Sequence, residues 1–280
     1  MNHAPEWDRE TLLLSPLFAP LHPVLVKLEP ERFPEIKDCN ALLAARHPPI
    51  AVQNGTPMRF VPQQSGRLPF KMQYEPRCYL NGEVATRADN WHDLFNALVW
   101  LTFPRTKTIL NARHYHALME ERASGATRRG AVRDLNTLFD ESGVIVAYAG
   151  EALAGLLRCF RWKELFCQRR EQTRPQSGKQ EMGFYLFGHG LFEKALQPYV
   201  GMTGQGLLIK VDHEFFSWSA ARQLEHLDSQ LACYLALPEH CCNTRDLSPV
   251  PLLGVPGWAA ENEHESYYDN SVYFRPGRRG

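Results

Sequence analysis

The chain has 280 residues, 44% of them hydrophobic and 22% charged, with 31 Lys and Arg against 31 Asp and Glu. That composition belongs to a globular protein with a sizeable core. A net charge of zero excludes the basic footprint of a nucleic-acid binder or an anionic-membrane binder, and it leaves little repulsion between copies, which favours a homo-oligomer.

The first twenty residues place Glu6, Asp8, Arg9 and Glu10 ahead of a short apolar run. A secretory leader runs the other way, basic residues first. The longest apolar runs, such as Val144 to Gly150, are far too short to span a bilayer. The seven cysteines are scattered, with no Cys-x-x-Cys pair, which suits reduced thiols and argues against a structural zinc site. These features together predict a soluble cytoplasmic protein with no membrane partner.

In chain order, residues 1–34 carry Pro16, Pro20, Pro23, Pro30 and Pro34, which forbid a long helix. They predict an extended N-terminal arm, with one helical turn at most, packed on the body through Leu12 to Leu14, Phe18 and Leu25. The rest, residues 35–280, is expected as a single domain. A short amphipathic helix fits Glu35 to Arg46, ended by Pro48-Pro49. Arg59 to Val61 suits a strand. Arg77 to Leu80 and Glu83 to Thr86 flank Asn81-Gly82, a pair that fits a type I′ hairpin because both central residues need positive φ.

A helical block follows. Asn90 can cap a helix from Trp91 to Leu101, and Pro104 fits the first turn of a second helix that Ser124-Gly125 ends. A short helix over Ala131 to Leu138 leads into a turn at Asp140 to Gly143, then a buried strand at Val144 to Ala149. Glu151 to Glu171, Gly188 to Gln197 and Ala220 to Leu237 read as helices, Thr173 to Lys179 as a polar loop and Gly206 to Val211 as a strand. From Pro238 onward, residues 238–280, prolines and glycines exclude regular elements. Leu252, Leu253, Val255 and Trp258 nevertheless predict an ordered extended tail lying across the body. The fold class is thus α+β, predominantly helical, with a few short strands and that C-terminal tail.

Chemistry concentrates between Asn90 and Gly143. The helix from Trp91 is apolar nearly all round, so it is buried, and His92 and Asn96 fall on one side of it. On the second helix Lys107, Asn111 and His114 share a stripe, and His116 lies opposite. Arg133, Asp134, Asp140 and Glu141 form a third group, and two carboxylates at a helix end oppose the macrodipole. His92, Asp93, Asn96, Lys107, Arg133 and Asp134 are the candidate catalytic residues. His92, Asp93, Asp140 and Glu141 are the candidate ligands for a divalent metal, Mg²⁺, Mn²⁺ or Zn²⁺, with Lys107 and Arg133 holding an anionic group such as phosphate. The competing reading is a buried polar network of His92, Asp93, Asn96, Arg133 and Asp134 that only ties three helices together. Gly188-His189-Gly190 is a further candidate, since glycine on both sides admits close approach to the ring; set against that is a histidine that merely starts a helix. No Gly-x-Gly-x-x-Gly, Walker loop, His-Glu-x-x-His or Gly-x-Ser-x-Gly is present. Arg122, Arg128, Arg129 and Arg133 read as solvated side chains and not as a nucleic-acid stripe.

Several stretches resemble a bacterial family known only as domain of unknown function 3025. They are Thr86-Arg87 with Asn90 to Trp100, Phe103-Pro104 and Lys107; Arg133-Asp134, Thr137, Phe139-Asp140-Glu141 and Gly143; Gly188-His189 with Leu191 and Glu193; and Leu253 to Trp258 with Asn262 and Phe274-Arg275-Pro276. The likeness spans about Pro16 to Pro276. It implies one domain, no established activity and no catalytic set. The residues themselves lead to a metal-assisted hydrolase acting on a small anionic substrate. The alternative is a non-catalytic binding or scaffold protein whose polar network is structural.

Overall fold

The computed structural model describes residues 5–126 and 128–277. The architecture is α+β and predominantly helical, with two small sheets. The N-terminal stretch departs from the expected extended arm. It winds into α1 (Arg9–Leu14), a 3₁₀ stretch at Pro16–Leu21 and α2 (His22–Leu25). Pro16 opens the 3₁₀ stretch and Pro23 is the second residue of α2, first-turn positions that tolerate proline, so prolines that forbid one long helix permit a series of turns. These turns bury Leu12, Leu17, Phe18, Leu21 and Leu25, while Leu14 stays exposed.

The helix α3 (Ile36–Ala44) precedes β1 (Arg59–Pro62). The expected hairpin is replaced. Tyr74–Asn81 forms α4, Gly82 sits at φ 67 as its left-handed C-cap, and Glu83–Thr86 forms β2, which pairs in parallel with β1. An Asn-Gly pair serves a helix end as readily as a hairpin, since both need positive φ.

The central block follows the pattern closely. The side chain of Asn90 accepts from the amide of Asp93 and starts α5 (Trp91–Thr102); Pro104 opens α6 (Pro104–Ser124), which Gly125 ends at φ 65. Next, α7 (Ala131–Ser142) runs a full turn further than expected, so Asp140 and Glu141 lie in its last turn and not in a loop. It leads without a break into β3 (Gly143–Tyr148), buried along its whole length.

The single helix expected over Glu151 to Glu171 is broken. It consists of α8 (Glu151–Arg158), a π-helical turn at Glu164–Gln168 and α9 (Arg170–Thr173). Phe160 at φ 58 is in the left-handed region and stops the first piece. Beyond it come β4 (Met182–Leu186), absent from the sequence reading, then α10 (His189–Ala195), β5 (Thr203–Lys210) and α11 (Ala220–Ala236). The tail is ordered but not devoid of regular elements. Ser248–Pro251 forms β6 at the edge of the sheet, where a proline costs no ladder bond.

The main sheet has the order β4-β3-β5-β6, with β3 and β5 parallel and the outer pairs antiparallel. One hydrophobic core runs from Leu12 to Phe274. Phe18 stacks on Phe95 of α5 and on Phe192 of α10, with centroids 5.6 and 5.8 Å away, and Phe95 stacks on Phe192 at 5.7 Å. Those three rings fix α10 against α5.

A histidine–carboxylate cluster as candidate metal centre

The antiparallel register of β3 and β4 builds the site. Val144 pairs with Leu186, so the start of β3 lies beside the end of β4. The amides of Phe187 and Gly188 both donate to the carbonyl of Gly143, at 3.0 and 2.9 Å. The C-terminal end of α7 is thereby brought against the first turn of α10. Glycine at 188 is needed for this approach, and glycine at 190 leaves room for the Glu141 side chain. A Cβ on Gly188 would stand 2.5 Å from the amide nitrogens of Ser142 and Gly143, and one on Gly190 would stand 2.5 Å from Glu141 Oε2.

His189 thus faces Glu141, and α5 supplies His92 from the other side. Ligand atoms of His92, Glu141 and His189 all lie within 4.8 Å of one another. His92 Nε2 is 3.7 Å and His189 Nε2 3.4 Å from the same oxygen, Glu141 Oε1. Two ligands bound at ~2.0–2.1 Å to one tetrahedral ion stand about 3.4 Å apart, so these separations are close to those of a bound metal. The rings meet edge to face, centroids 4.5 Å apart.

The opposite nitrogens are turned to carboxylates. His92 Nδ1 is 3.0 Å from Glu193 Oε2, and His189 Nδ1 is 3.6 Å from Asp140 Oδ2. A carboxylate hydrogen-bonded at Nδ1, as Glu193 is to His92, selects the tautomer that leaves Nε2 able to ligate. At 3.6 Å the second contact is longer than a hydrogen bond, and His189 Nδ1 is a buried nitrogen with no such partner.

Asp140 is held from below. Lys107 Nζ lies 2.5 Å from Asp140 Oδ1 and donates to Asn96 Oδ1 at 3.0 Å, and Asn96 Nδ2 donates to the Tyr74 hydroxyl at 2.7 Å. Lys107, Asn96 and the nearby His114 are all buried. Burial acts to raise the pKa of Asp140, but the Lys107 ammonium and then His189 outweigh it and hold the carboxyl below its ordinary value. Burial likewise acts to raise Glu141; its hydrogen bond and charge interaction with His189, together with His92, bring it below its ordinary value. Both groups are therefore carboxylates at neutral pH.

Charge balance sharpens the picture. Asp140 is matched by Lys107. Asp93 is matched by Arg87, which meets it through Nε at 3.0 Å, Nη2 at 2.7 Å and its backbone amide at 2.6 Å. Glu141 pairs with both imidazoles and Glu193 with that of His92, and among the described residues neither forms an ion pair with a lysine or arginine. Glu141, in the last turn of α7 where the helix end is itself partly negative, and Glu193 on α10 together favour a divalent cation. His92 and Glu141 are 29% and 40% exposed at the side chain, so the cluster opens to solvent on one side.

Of the residues proposed from the sequence, His92 and Glu141 meet directly, and Asp140, Lys107 and Asn96 stand behind them. Asp93 does not join the metal cluster, because three hydrogen bonds to Arg87 engage its carboxylate. Arg133 pairs with Glu121 and Asp134 with Arg129 at 3.2 Å. Both stand at the far end of α7, about 10 Å from Asp140 along the helix axis. The three-helix network joining His92, Asp93, Asn96, Arg133 and Asp134 is therefore not formed as one unit. In the residue patterns His189 stands out only weakly, and Glu193 and Tyr74 carry no signal. The signal for His189 was the glycine on each side of it.

The fold and site define a predominantly helical α+β protein with a two-histidine, one-carboxylate cluster between three helices. The family model described as Protein of unknown function (DUF3025) matches residues 58–278, and the chain belongs to that family. The first 57 residues, including part of the stretch from Pro16 that carries the resemblance, lie outside the match. No curated protein and no solved structure matches the chain. Among the described residues no helix is long and apolar enough to cross a membrane.

Proposed function

We propose that this protein is a metal-assisted hydrolase acting on a small anionic substrate, with the metal held by His92, His189 and Glu141. One observation carries the reading: both imidazoles aim Nε2 at a single Glu141 oxygen and back Nδ1 with a carboxylate. Two histidines and one carboxylate, with room for a further ligand, form a common catalytic donor set for Zn²⁺ and for other divalent ions of its type. When bound, such an ion supplies Lewis acidity toward the substrate and toward water.

The residues divide the remaining work. Glu193 fixes the orientation of the His92 ring, and Asp140 sets a negative charge facing His189 Nδ1. Glu193, 45% exposed at the side chain, is placed to accept a proton at the mouth of the site. Lys107 and Arg133, assigned to the substrate anion from sequence, are both engaged with protein carboxylates. Arg87 takes over that role in this proposal. It is half exposed and lies near Glu193, and its Nη1 makes no hydrogen bond among the described residues.

The inner half of the network supports a structural role as well. Tyr74, Asn96, Lys107 and Asp140 join α4, α5, α6 and α7 in one buried chain of hydrogen bonds, which braces the ligands without touching substrate.

The test is metal-dependent stability followed by metal-dependent turnover. Zn²⁺, Mn²⁺ or Mg²⁺ at a hundredfold excess over Kd stabilises the protein by about 2.7 kcal/mol, a Tm rise of roughly 5 °C or more. His189→Ala and Glu141→Gln abolish that shift while remaining folded by circular dichroism. The loaded protein then hydrolyses one of a panel of phosphate and carboxylate esters, and chelator stops it. Should no divalent ion shift Tm, or should both variants respond like wild type, the metal assignment fails. Metal binding without turnover of any anionic ester removes the hydrolase reading alone.

A further inference from the structure

A groove of about 860 Å³ opens between α2, α3, α6 and α11. It is separate from the metal centre. Leu101 at the C-terminal end of α5 forms part of its wall, whereas His92 sits at the other end, about 14 Å along the helix axis. The wall is largely apolar, with Val24, Leu42, Ile50, Leu101, Ile109 and Leu224 as its larger side chains. A groove of this size with a few polar groups converging on it is the usual form of a small-molecule site.

The charges in the wall are unevenly committed. Asp228 accepts from the amides of Arg105 and Thr106 at 3.1 and 2.8 Å, so its charge serves the N-terminus of α6. Glu225 is exposed and reaches Arg105 at 3.7 Å. The side chains of Lys27 and Arg46 make no hydrogen bond and no ion pair among the described residues, although both line the groove. Arg46 is half buried, and burial lowers its pKa against the weaker, opposite pull of Asp228 and Glu225. A guanidinium that is partly dehydrated and without a direct partner gains from an anion beside it.

We infer that this groove binds a small amphiphilic carboxylate, a medium-chain fatty acid in chemical class, with its head on Arg46 and Lys27 and its chain along the apolar wall. The inference is independent of the metal centre, and its test is run in chelator.

Cys233 lines the groove and is exposed, as are Cys159 and Cys242 outside this groove. The rate of alkylation of each thiol, read by peptide mass spectrometry, therefore localises binding. Decanoate is expected to slow alkylation of Cys233 at least fivefold and to leave Cys159 and Cys242 unchanged. Arg46→Gln should raise the decanoate Kd at least tenfold. Decan-1-ol, uncharged with the same chain, should protect wild type no better than decanoate protects that variant. Ala45→Trp, an exposed lining position, should block protection by filling the groove, with Tm unchanged as the folding control. Unprotected Cys233 overturns the inference. So does equal protection by decanol, which would leave the cationic groups without a role, or by acetate, which would leave the apolar wall without one.

Discussion

Lys107 illustrates how a single residue couples stability to the site. Its side chain is 3% exposed, and its ammonium is matched by Asp140 and Asn96. Replacing it with methionine keeps the aliphatic volume and strands Asp140 as an unpaired charge. Breaking a buried pair in this way costs roughly 3–5 kcal/mol, whereas removing both charges is far milder. Lys107→Met is therefore expected to lower urea stability by that amount, and adding Asp140→Asn to recover most of the loss. A double variant as unstable as the single one would show that Lys107 acts through other contacts. The apolar positions around Asn96 made it visible in the sequence as a buried polar residue, and the stripe that Lys107 shares with Asn111 and His114 marked Lys107 as a partner for that helix. That Asp140 and not Arg133 belongs with them could not be read there, because the choice depends on which end of α7 meets α6 and α10.

At the scale of elements, the site exists because the end of α7 and the start of α10 touch. Gly188 and Gly190 make that contact, and they are expected to differ when substituted. The Cβ of Gly188→Ala would meet backbone amides that cannot move aside. Overpacking of that kind typically costs about 1–3 kcal/mol. The Cβ of Gly190→Ala would meet the end of the Glu141 side chain, which can rotate away, and would stand 3.1 Å from the Glu141 carbonyl oxygen, a contact that a shift of a few tenths of an ångström relieves. Gly190→Ala should keep nearly wild-type Tm in chelator and lose most of the divalent-ion shift, and Gly188→Ala should lower Tm whether or not metal is present. Equal metal shifts in Gly190→Ala and wild type would separate Glu141 from the ligand set. The same scale explains what the residue patterns missed. Asn81-Gly82 satisfies a helix cap and a hairpin alike. Helix α7 outruns its apolar period because β3 continues from it directly. Strand β4 is recognisable only through its pairing with β3.

For the whole molecule, Asp140, the partly exposed Glu141 and the buried Asp228 shape the response to acid. Asp140 and Glu141 are held below their ordinary values, so the unfolded chain binds protons there before the folded one does. Their contribution is complete above pH about 5 and is lost as pH falls through the folded pKa values. Asp228 works the other way. Burial raises it above its ordinary 3.8, so it favours the folded state at low pH and that contribution is lost as pH rises through the raised value. In chelator, wild type should therefore lose urea stability between pH 5 and 3 more steeply than an Asp140→Asn, Glu141→Gln variant. Parallel pH profiles would show that these carboxylates contribute nothing to acid sensitivity.

The sequence by itself determined the helical α+β class, the Asn90 cap, the Pro104 start, the buried strand after Gly143 and the family. Each of these rests on local energetics: a capping side chain, a fixed φ, an apolar period. It also marked His92, Asp140 and Glu141 as residues out of place in apolar surroundings. Tertiary structure alone decided that His189 joins them, that Asp93, Arg133 and Asp134 are paired elsewhere, and that an apolar groove opens beyond the far end of α5. Those outcomes depend on strand register and helix docking between segments far apart in the chain, as Val24 and Ala236 are in the groove, where the energies that choose among arrangements come from packing and charge pairing and leave no periodic trace along the chain.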